Sequence, residues 1–370
     1  MQVNRERLVQ TFCDLVAIDS PSLGERTMAD ELTRRLAQIG LVVEEDDAGK
    51  RIGGSSGNLY AHLRGTGPLP PLLFCAHMDT VEPTAAKRAV VGDDGVIRSA
   101  GDTVLGADDV SAIAAILEAI QTILEHGAPE RGVEVLFTVS EETYGTGAAE
   151  FDFSRIHAGE AYVPDYDGAH GQAVVAAPTI LTFCAEIVGK ASHAGFAPEQ
   201  GVSAILAAAH AIDALGSGRI SDDLTLNIGT IQGGLLTNIV PETCTVEGEI
   251  RGGKHEEALN CLESTRQAFE KSCDAFGANL RFTNKCLIQA YHTPEDAPVV
   301  QRYFRACKAY GLQTEAVRTF GGSDNNILSQ HGISGIVIAS AMHNCHSSAE
   351  YTSVGELIRL AELLVEIIRN

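Results

Sequence analysis

Residues 72–80 have the sequence LLFCAHMDT, in which a short apolar run leads directly into His77 and Asp79. The run at 72–76 predicts a buried β-strand. The two polar residues are two positions apart, so their side chains face the same side of the sheet. A metal-bound imidazole usually has its second nitrogen held by a carboxylate, and this spacing is typical of such a pair. For these two residues alone, however, a hydrogen-bonded core histidine is the more common explanation.

Similar polar residues follow other predicted strands. Glu141 and Glu142 follow one apolar run, and paired carboxylates repel each other unless a cation separates them or one is protonated. A solvated loop is the alternative for this pair. Asp165 ends a second predicted strand, and His346 comes after a third. Because ligands of open α/β sheets gather beyond the carboxyl ends of the strands, we expect these side chains and His77 to converge.

Asp108 instead opens a predicted helix at 109–126. Acidic residues at helix N-termini commonly cap free backbone amides, and capping is the simpler explanation for Asp108 taken alone. Together, the donors are two histidines, one bridging aspartate and two terminal carboxylates, a set that suits two Zn²⁺ ions. Glu141 or Glu142 is then left over. A spare glutamate beside a metal-bridging water can act as the general base of a hydrolytic reaction.

The order of strands and helices predicts two domains, as expected for a chain of 370 residues. Strands and helices alternate up to residue 178 and again from 291 onward, which predicts an α/β domain with a largely buried sheet. Between 179 and 290 the order is β-α-β-β-α-β, a complete ferredoxin-like unit whose first helix is predicted at 198–215. The simplest arrangement is a catalytic domain of residues 1–178 and 291–370 that carries an inserted domain of residues 179–290.

Composition argues against several classes of protein. The formal net charge of -22 would repel phosphate backbones, so we expect no nucleic-acid partner, whereas the same charge suits a protein that concentrates cations. No apolar stretch is long enough to span a bilayer, and the N-terminus lacks the apolar core of a signal peptide, so we expect no membrane association. The nine cysteines occur singly, which is typical of a reducing compartment and predicts a cytoplasmic protein.

Taken in order, the motifs resemble those of a known enzyme family. They are FCAHMDT at 74–80, LGADD at 105–109, SEE at 140–142, AYVPD at 161–165 and HSSAEY at 346–351. The series is similar to the dinuclear zinc peptidases grouped with peptidase T, carboxypeptidase G and the aminoacylases, and most similar to the peptidase T-like branch. This resemblance extends along nearly the whole chain. It implies a zinc-peptidase catalytic domain with a mostly parallel central sheet, and an inserted ferredoxin-like α+β domain that serves as lid and dimerisation domain.

The resemblance also implies a role for each residue of the metal site. The implied ligands are His77 and Asp165 for one zinc, Glu142 and His346 for the other, and Asp108 as the bridge. Asp108 would be followed by a cis peptide bond, Glu141 would be the general base, and Asp79 would orient His77. Asp167 is the alternative to Asp165, because both lie in the segment Pro164-Asp165-Tyr166-Asp167-Gly168.

Three residues of the inserted domain match family positions. His193, within GKASHAG at 189–195, resembles a histidine that polarises the scissile carbonyl and often comes from a partner subunit. Asn238 and Arg251 resemble substrate-binding positions, and an arginine fork suits a peptide carboxylate. The resemblance therefore implies a homodimer formed through the inserted domain.

The resemblance favours a metallopeptidase that hydrolyses short peptides in the manner of a tripeptide aminopeptidase. Its cofactors would be two Zn²⁺ ions, with Co²⁺ or Mn²⁺ as the alternatives. An N-acyl amino acid deacylase or a carboxypeptidase of the same family would use the same chemistry. A metal-binding protein without catalytic activity is a further alternative, and the intact pair Glu141 and Glu142 argues against it.

Overall fold

The computed structural model describes residues 1–370, which form nine α-helices and seventeen β-strands. The helices are α1 (Arg5–Val16), α2 (Arg26–Gln38), α3 (Ala48–Ile52), α4 (Ala107–Glu125), α5 (Ala204–Leu215), α6 (His255–Phe276), α7 (Pro298–Ala309), α8 (Asp324–Gln330) and α9 (Val354–Arg369). The strands are β1 (Val42–Glu45), β2 (Leu59–Leu63), β3 (Leu72–His77), β4 (Ala89–Val91), β5 (Val96–Ser99), β6 (Val133–Thr138), β7 (Glu160–Tyr166), β8 (Gln172–Ala177), β9 (Thr179–Val188), β10 (Gly218–Ser221), β11 (Leu224–Gly233), β12 (Thr243–Gly252), β13 (Asn279–Ile288), β14 (Tyr291–His292), β15 (Glu315–Arg318), β16 (Ser334–Ala339) and β17 (Tyr351–Ser353). None of the helices combines the length and the continuous hydrophobicity needed to cross a lipid bilayer.

The chain divides into two compact units. The first contains Met1–Val175, His292–Thr319 and Ser323–Asn370, and the second contains Ala176–Tyr291 with the short segment Phe320–Gly322. The second unit begins and ends close to the predicted limits of 179 and 290. Within the second unit, Arg251 Nη1 donates a hydrogen bond to the carbonyl oxygen of Phe320 in the short segment, a contact that the sequence does not predict.

The first unit has the predicted α/β class, with a sheet whose central strands are parallel. The strand order is β1-β2-β6-β3-β7-β16-β8-β14, and β15 pairs with β8. Strands β6, β3, β7 and β16 run parallel to one another, whereas β1, β2 and β8 pair antiparallel beside them. The carboxyl ends of the four parallel strands therefore lie along one edge of the sheet.

Strand β3 is buried on both faces, which explains its continuous apolar sequence. Leu72, Phe74 and Ala76 belong to the larger core cluster, together with residues of α1, α4 and α9. Leu73 and Cys75 point to the opposite face and belong to a second cluster with Tyr60, Leu136, Phe151 and Val163. This alternation follows from the two-residue period of a strand. The last residue of β3, His77, pairs with Thr138, the last residue of β6, at the carboxyl end of these strands.

The second unit is a ferredoxin-like layer of antiparallel strands covered by two helices. Its strand order is β10-β11-β12-β9-β13, and α5 and α6 pack together over the sheet. The buried face of α5 consists of alanines, which allow α6 and the strands to approach closely. Phe183 and Phe269 form the centre of this core, and the ring of Phe183 stacks on Phe282 at 5.6 Å between centroids.

Several elements differ from the sequence prediction. The helix predicted at 198–215 begins instead at Ala204, because the Ser203 side chain accepts the amide of Leu206 as an N-cap. Residues Pro198–Gln200 form only a 3-10 turn. Strands β4, β5 and β17 make a separate three-stranded sheet that the sequence does not predict. These strands have only three or four residues each and are partly exposed, so they have no continuous apolar run.

Candidate metal centre

The predicted ligands of the first unit lie at the carboxyl edge of the parallel strands. His77 is the last residue of β3, and Asp165 is the last but one residue of β7. Glu141 and Glu142 begin a 3-10 turn just after β6. His346 lies in the loop between β16 and β17. Parallel strands thus bring together residues that are far apart in the sequence.

Three of these residues form a first donor set, which consists of His77, Asp108 and Asp165. Their ligand atoms all lie within 4.8 Å of one another. His77 Nε2 lies 3.0 Å from Asp108 Oδ1. His77 is 2% exposed, so its imidazole is buried at this edge of the sheet.

A second donor set consists of Asp108, Glu142 and His346, and the same distance limit applies to its ligand atoms. His346 Nε2 lies 3.2 Å from Asp108 Oδ2 and 3.1 Å from Glu142 Oε2. Asp108 is common to both sets and turns one carboxylate oxygen toward each histidine. This is the arrangement in which one aspartate can bridge two cations.

The side chains of the two sets fit divalent cations chemically. Glu142 Oε1 is buried and has no hydrogen-bond partner, so it is available as a ligand. Burial and the charge of Asp108 raise the pKa of Asp165 well above its usual value. Hydrogen bonds that the His346 ring donates to the carboxylates of Asp108 and Glu142 raise the pKa of His346 to about 10. Both shifts show an excess of negative charge that bound cations would neutralise, and imidazole with carboxylate is a typical zinc ligand set.

Asp79 organises the site around His77 and the glutamate pair. His77 Nδ1 lies 2.8 Å from the Asp79 carbonyl oxygen and 3.5 Å from Asp79 Oδ1. The carboxylate also accepts the amides of Glu141 at 3.0 Å and Glu142 at 3.2 Å, and the Ser22 hydroxyl at 2.7 Å. Although burial opposes it, hydrogen bonds from His77 and Ser22 lower the pKa of Asp79. Asp79 therefore positions the turn of Glu141 as well as the ring of His77.

Glu141 lies close enough to the donor sets to interact electrostatically with Asp165. Burial and the neighbouring charge of Asp165 raise its pKa well above the usual value for a glutamate. Its main chain is fixed by Asp79, so the carboxylate has a defined starting position.

Sequence reasoning missed a second carboxylate that supports this turn. Glu25 is fully buried, and its Oε1 accepts the amides of Leu23 and Ser140 and the Ser140 hydroxyl, at 2.8 to 3.0 Å. Ser140 has a φ of 53°, in the left-handed region, and the contacts with Glu25 hold it there. The sequence offers no signal for this pairing, because 115 residues separate the two partners.

The segment around Asp108 has a cis peptide bond between Asp108 and Asp109, as the family resemblance implies. Asp109 is fully buried, and neither of its carboxylate oxygens belongs to a donor set. Asp167, the alternative to Asp165, is exposed and likewise belongs to neither set. Among the candidate aspartates, Asp108 and Asp165 are therefore the two that the fold places among the donors.

Asp324, in the loop GGSD at 321–324, lies beneath the edge and not on its surface. It is 1% exposed, and its Oδ2 accepts the Thr138 hydroxyl at 2.5 Å and lies 3.7 Å from Cys75 Sγ. Burial raises the pKa of the Cys75 thiol, which is consistent with an inert core cysteine.

In the second unit, His193 and Asn238 lie on adjacent segments. A β-bridge joins His193 to Ile239, and the amide of Ala194 donates to the Asn238 carbonyl at 3.0 Å. His193 Nδ1 accepts the amides of Gly195 at 3.1 Å and Phe196 at 3.2 Å. A neutral imidazole that accepts at Nδ1 carries its proton on Nε2. The exposed ring of His193 therefore presents an N–H donor at Nε2.

Arg251 lies in β12 and already has partners. Its Nε and Nη2 donate to Glu249 at 2.6 and 3.2 Å, and its Nη1 donates to the carbonyl of Phe320 at 2.6 Å. Since a guanidinium has five N–H donors, these bonds leave two unused. If Arg251 binds substrate as predicted, it does so with a guanidinium that also binds Glu249.

Two family models match separate parts of the chain. The model described as the peptidase dimerisation domain matches residues 175–276, and the model of peptidase family M28 matches residues 58–162. The first match falls almost entirely within the second unit, and the other contains β3, β6 and the first three residues of β7.

Three proteins are similar to this chain along nearly their whole length. The uncharacterized protein YqjE of Bacillus subtilis is 35% identical over 368 residues, which is 100% of this chain and 99% of YqjE. The crystal structure of aminopeptidase PepT from Bacillus cereus is 36% identical, with a TM-score of 0.95 over 99% of this chain and 98% of that one. The crystal structure of a tripeptidase from Staphylococcus aureus is 33% identical, with a TM-score of 0.96 over 100% and 99%. With identity above 30% and essentially complete coverage, the chain belongs to the dinuclear zinc peptidase family of peptidase T, carboxypeptidase G and the aminoacylases, and it is a peptidase T-like metallopeptidase.

Proposed function

We propose that the protein is a dinuclear zinc aminopeptidase that hydrolyses short peptides such as tripeptides. The observation that carries this proposal is the pair of donor sets that share Asp108, together with Glu141, which belongs to neither set and interacts electrostatically with Asp165. The similarity to an aminopeptidase and to a tripeptidase, each over almost the whole chain, supports the choice of substrate.

The proposed metal ligands follow from the two sets. His77 and Asp165 would hold one cation, Glu142 and His346 the other, and Asp108 both. Nitrogen and carboxylate ligands suit Zn²⁺, and Co²⁺ or Mn²⁺ could use the same donors. Two bound cations would supply Lewis acidity at the scissile carbonyl and lower the pKa of the attacking water.

Glu141 would move the proton in this reaction. Its carboxylate accepts a proton from the water as the new C–O bond forms at the peptide carbonyl. It then donates that proton to the amine nitrogen as the C–N bond breaks. The amides of Glu141 and Glu142 donate to the Asp79 carboxylate, and these bonds hold the main chain that carries Glu141 in place through both steps.

His193 would stabilise the oxyanion that develops on the carbonyl oxygen. Its Nδ1 is occupied by backbone amides, so Nε2–H is the donor that can point at substrate. We propose that Asn238, on the adjacent segment, binds substrate with it. The two remaining N–H groups of Arg251 would bind a peptide carboxylate.

We also propose that the protein is a homodimer formed through the second unit. Strand β10 covers only the start of β11, so the edge of β11 from 227 to 233 is unpaired within the chain. Ile231 is 50% exposed, and Leu235 and Leu236, just beyond the strand, are 92% and 64% exposed. An open strand edge beside exposed apolar side chains favours pairing with a second copy. The match to a peptidase dimerisation domain supports this, and His193 would then act on the substrate of the partner subunit.

We further propose a cytoplasmic location. All nine cysteines are unpaired in the structure, including those that are buried. Proteins with many reduced cysteines and no disulfide are typical of a reducing compartment.

The test is a digest of a short-peptide library by zinc-loaded protein, followed by mass spectrometry. We expect release of the N-terminal residue, inhibition by N-terminal acetylation, a higher KM after C-terminal amidation because Arg251 would lose the substrate carboxylate, and complete loss of activity after chelation. Cleavage of acetylated substrates or release of C-terminal residues would instead indicate a deacylase or a carboxypeptidase. No hydrolysis of any peptide or acyl amino acid by protein that holds two metal ions would contradict the proposed enzyme.

A further inference from the structure

Glu350 is a buried carboxylate in the same loop as His346 and has no role in the chemistry described above. It lies four positions after His346 and is 2% exposed. Buried carboxylates are rare unless several donors satisfy them. The partners of Glu350 therefore indicate what it does.

The Glu350 carboxylate binds the main chain on both sides of Ala107. Oε2 accepts the amide of Gly106 at 2.6 Å, and Oε1 accepts the amide of Asp108 at 3.0 Å. One side chain thus fixes alternate amides of the segment that carries the shared aspartate. Hydrogen bonds to a charged acceptor are stronger than neutral ones, so this contact restrains the segment firmly.

The opposite side of the Gly106 segment is packed against a buried lysine. Gly106 has a φ of 77°, and a Cβ atom there would lie 3.0 Å from both Lys87 Nζ and Thr80 Cγ2. Lys87 Nζ donates to Thr80 Oγ1 at 2.8 Å, and its charge is attracted to Glu350. The segment before Asp108 is therefore held between Glu350 and Lys87, and only glycine fits at residue 106.

The loop that carries His346 is closed around the same carboxylate. His343 and Tyr351 exchange backbone hydrogen bonds at 3.0 and 3.1 Å, and the amide of Glu350 donates to the Ser347 carbonyl at 3.1 Å. His346 has a φ of 61°, so its main chain is in a turn conformation that needs support from its surroundings. Within this loop, the side chain of Glu350 binds the main chain of the Asp108 segment, whereas the ring of His346 contacts the Asp108 carboxylate.

We propose that Glu350 is a positioning residue that sets the place of the bridging Asp108 relative to His346, and so the geometry of both cations. The inference rests on the proposed ligation by Asp108 and adds a residue that does not touch metal or substrate. Because Asp108 is shared by the two donor sets, a shift of its main chain alters both sites at once. Loss of Glu350 should therefore change both sites together.

The test compares Glu350→Gln with Glu134→Gln. The amide keeps the shape of the side chain but turns an N–H donor toward one of the two amides. Glu134 is a matched control, because it is also a buried carboxylate that accepts two backbone amides, those of His157 and Ala158. It lies near the start of β6, whereas the site lies beyond the end of that strand.

The readouts are the affinity for Co²⁺, the visible spectrum of the Co²⁺-loaded protein, and the melting temperature of the metal-free protein. For Glu350→Gln we expect affinity to fall by about 10- to 100-fold, the usual effect of losing an outer partner of a metal ligand. The spectrum of both bound ions should change, and kcat should fall with KM nearly constant. Glu134→Gln should lower the melting temperature of the metal-free protein and leave the Co²⁺ affinity and spectrum as in the wild type.

The proposal would be overturned if Glu350→Gln kept the Co²⁺ affinity and spectrum of the wild type and showed only a lower melting temperature. Glu350 would then be a purely structural residue. If Glu350→Gln does not fold, Glu350→Asp serves in the same comparison, because it keeps two acceptors but draws them back from the amides. Failure of wild-type protein and Glu134→Gln to bind two ions would instead count against the proposed metal site itself. The two failures are therefore distinguishable.

Discussion

The metal-binding edge of the first unit and the loop around His193 in the second unit are built in opposite ways. At the edge, His77 and Asp79 are almost completely buried, and each makes several side-chain contacts. His193 is exposed and bonds only through Nδ1 to the amides of its own turn. The first region is held by contacts among its own buried side chains. The second presents a donor whose acceptor has to come from substrate, so metal binding and substrate activation should respond separately to mutation.

Removal of metal should have the largest effect, and it should act through the first region. We expect activity to fall to background on chelation and to return when Zn²⁺ is added. The melting temperature should also fall, because a ligand that binds only the folded state stabilises it. Calorimetric melting and peptide hydrolysis, each measured before and after chelation, check this. Activity that survives removal of all bound metal would contradict a metal-dependent mechanism.

Glu141→Gln should separate the general base from the ligands within the first region. The variant should still hold two metal ions. Its kcat should fall by about 10²- to 10⁴-fold, because the amide cannot accept the proton. Metal content by elemental analysis and kcat on a tripeptide are the measurements. Glu150→Gln is the control, since Glu150 is exposed and pairs only with Arg51. Equal loss of metal and activity in Glu141→Gln would make Glu141 a ligand.

His193→Ala should affect only the second region. We expect kcat to fall by about 10²- to 10³-fold, the usual effect of losing one oxyanion donor, with metal content unchanged. Mixed dimers of His193→Ala and Glu141→Gln chains sharpen the comparison. If His193 acts in trans, these dimers contain one complete site and recover activity. If mixing restores no activity although the dimers form, His193 acts within its own chain.

Ser22→Ala should have the smallest effect, because Asp79 keeps its bonds to the amides of Glu141 and Glu142. We expect kcat to fall by about tenfold or less, together with slightly weaker metal binding. Ser154→Ala is the control, since Ser154 bonds only to the exposed Asp152. A loss as large as that of Glu141→Gln would mean that Ser22 contacts substrate directly.

Much of the fold and of the candidate site is predictable from local sequence. The apolar run before His77 identifies a buried strand, and the order of elements between 179 and 290 identifies a ferredoxin-like unit. Polar residues directly after such runs identify candidate ligands, because the end of a buried strand is where a side chain can leave the core. The sequence does not predict strands β4, β5 and β17. They are short and partly exposed, so their residues show no hydrophobic pattern.

Residue types and their order along the chain thus specify what kind of site this protein can form. They cannot specify which carboxylate supports which main-chain segment. The bond from Asp108 to Glu350 joins residues 242 positions apart, and that from Ser140 to Glu25 joins residues 115 positions apart. Such pairs carry no periodicity and no local motif. They arise only when the sheet and its loops pack together, because a buried carboxylate takes whichever amides the folded chain brings within hydrogen-bonding distance.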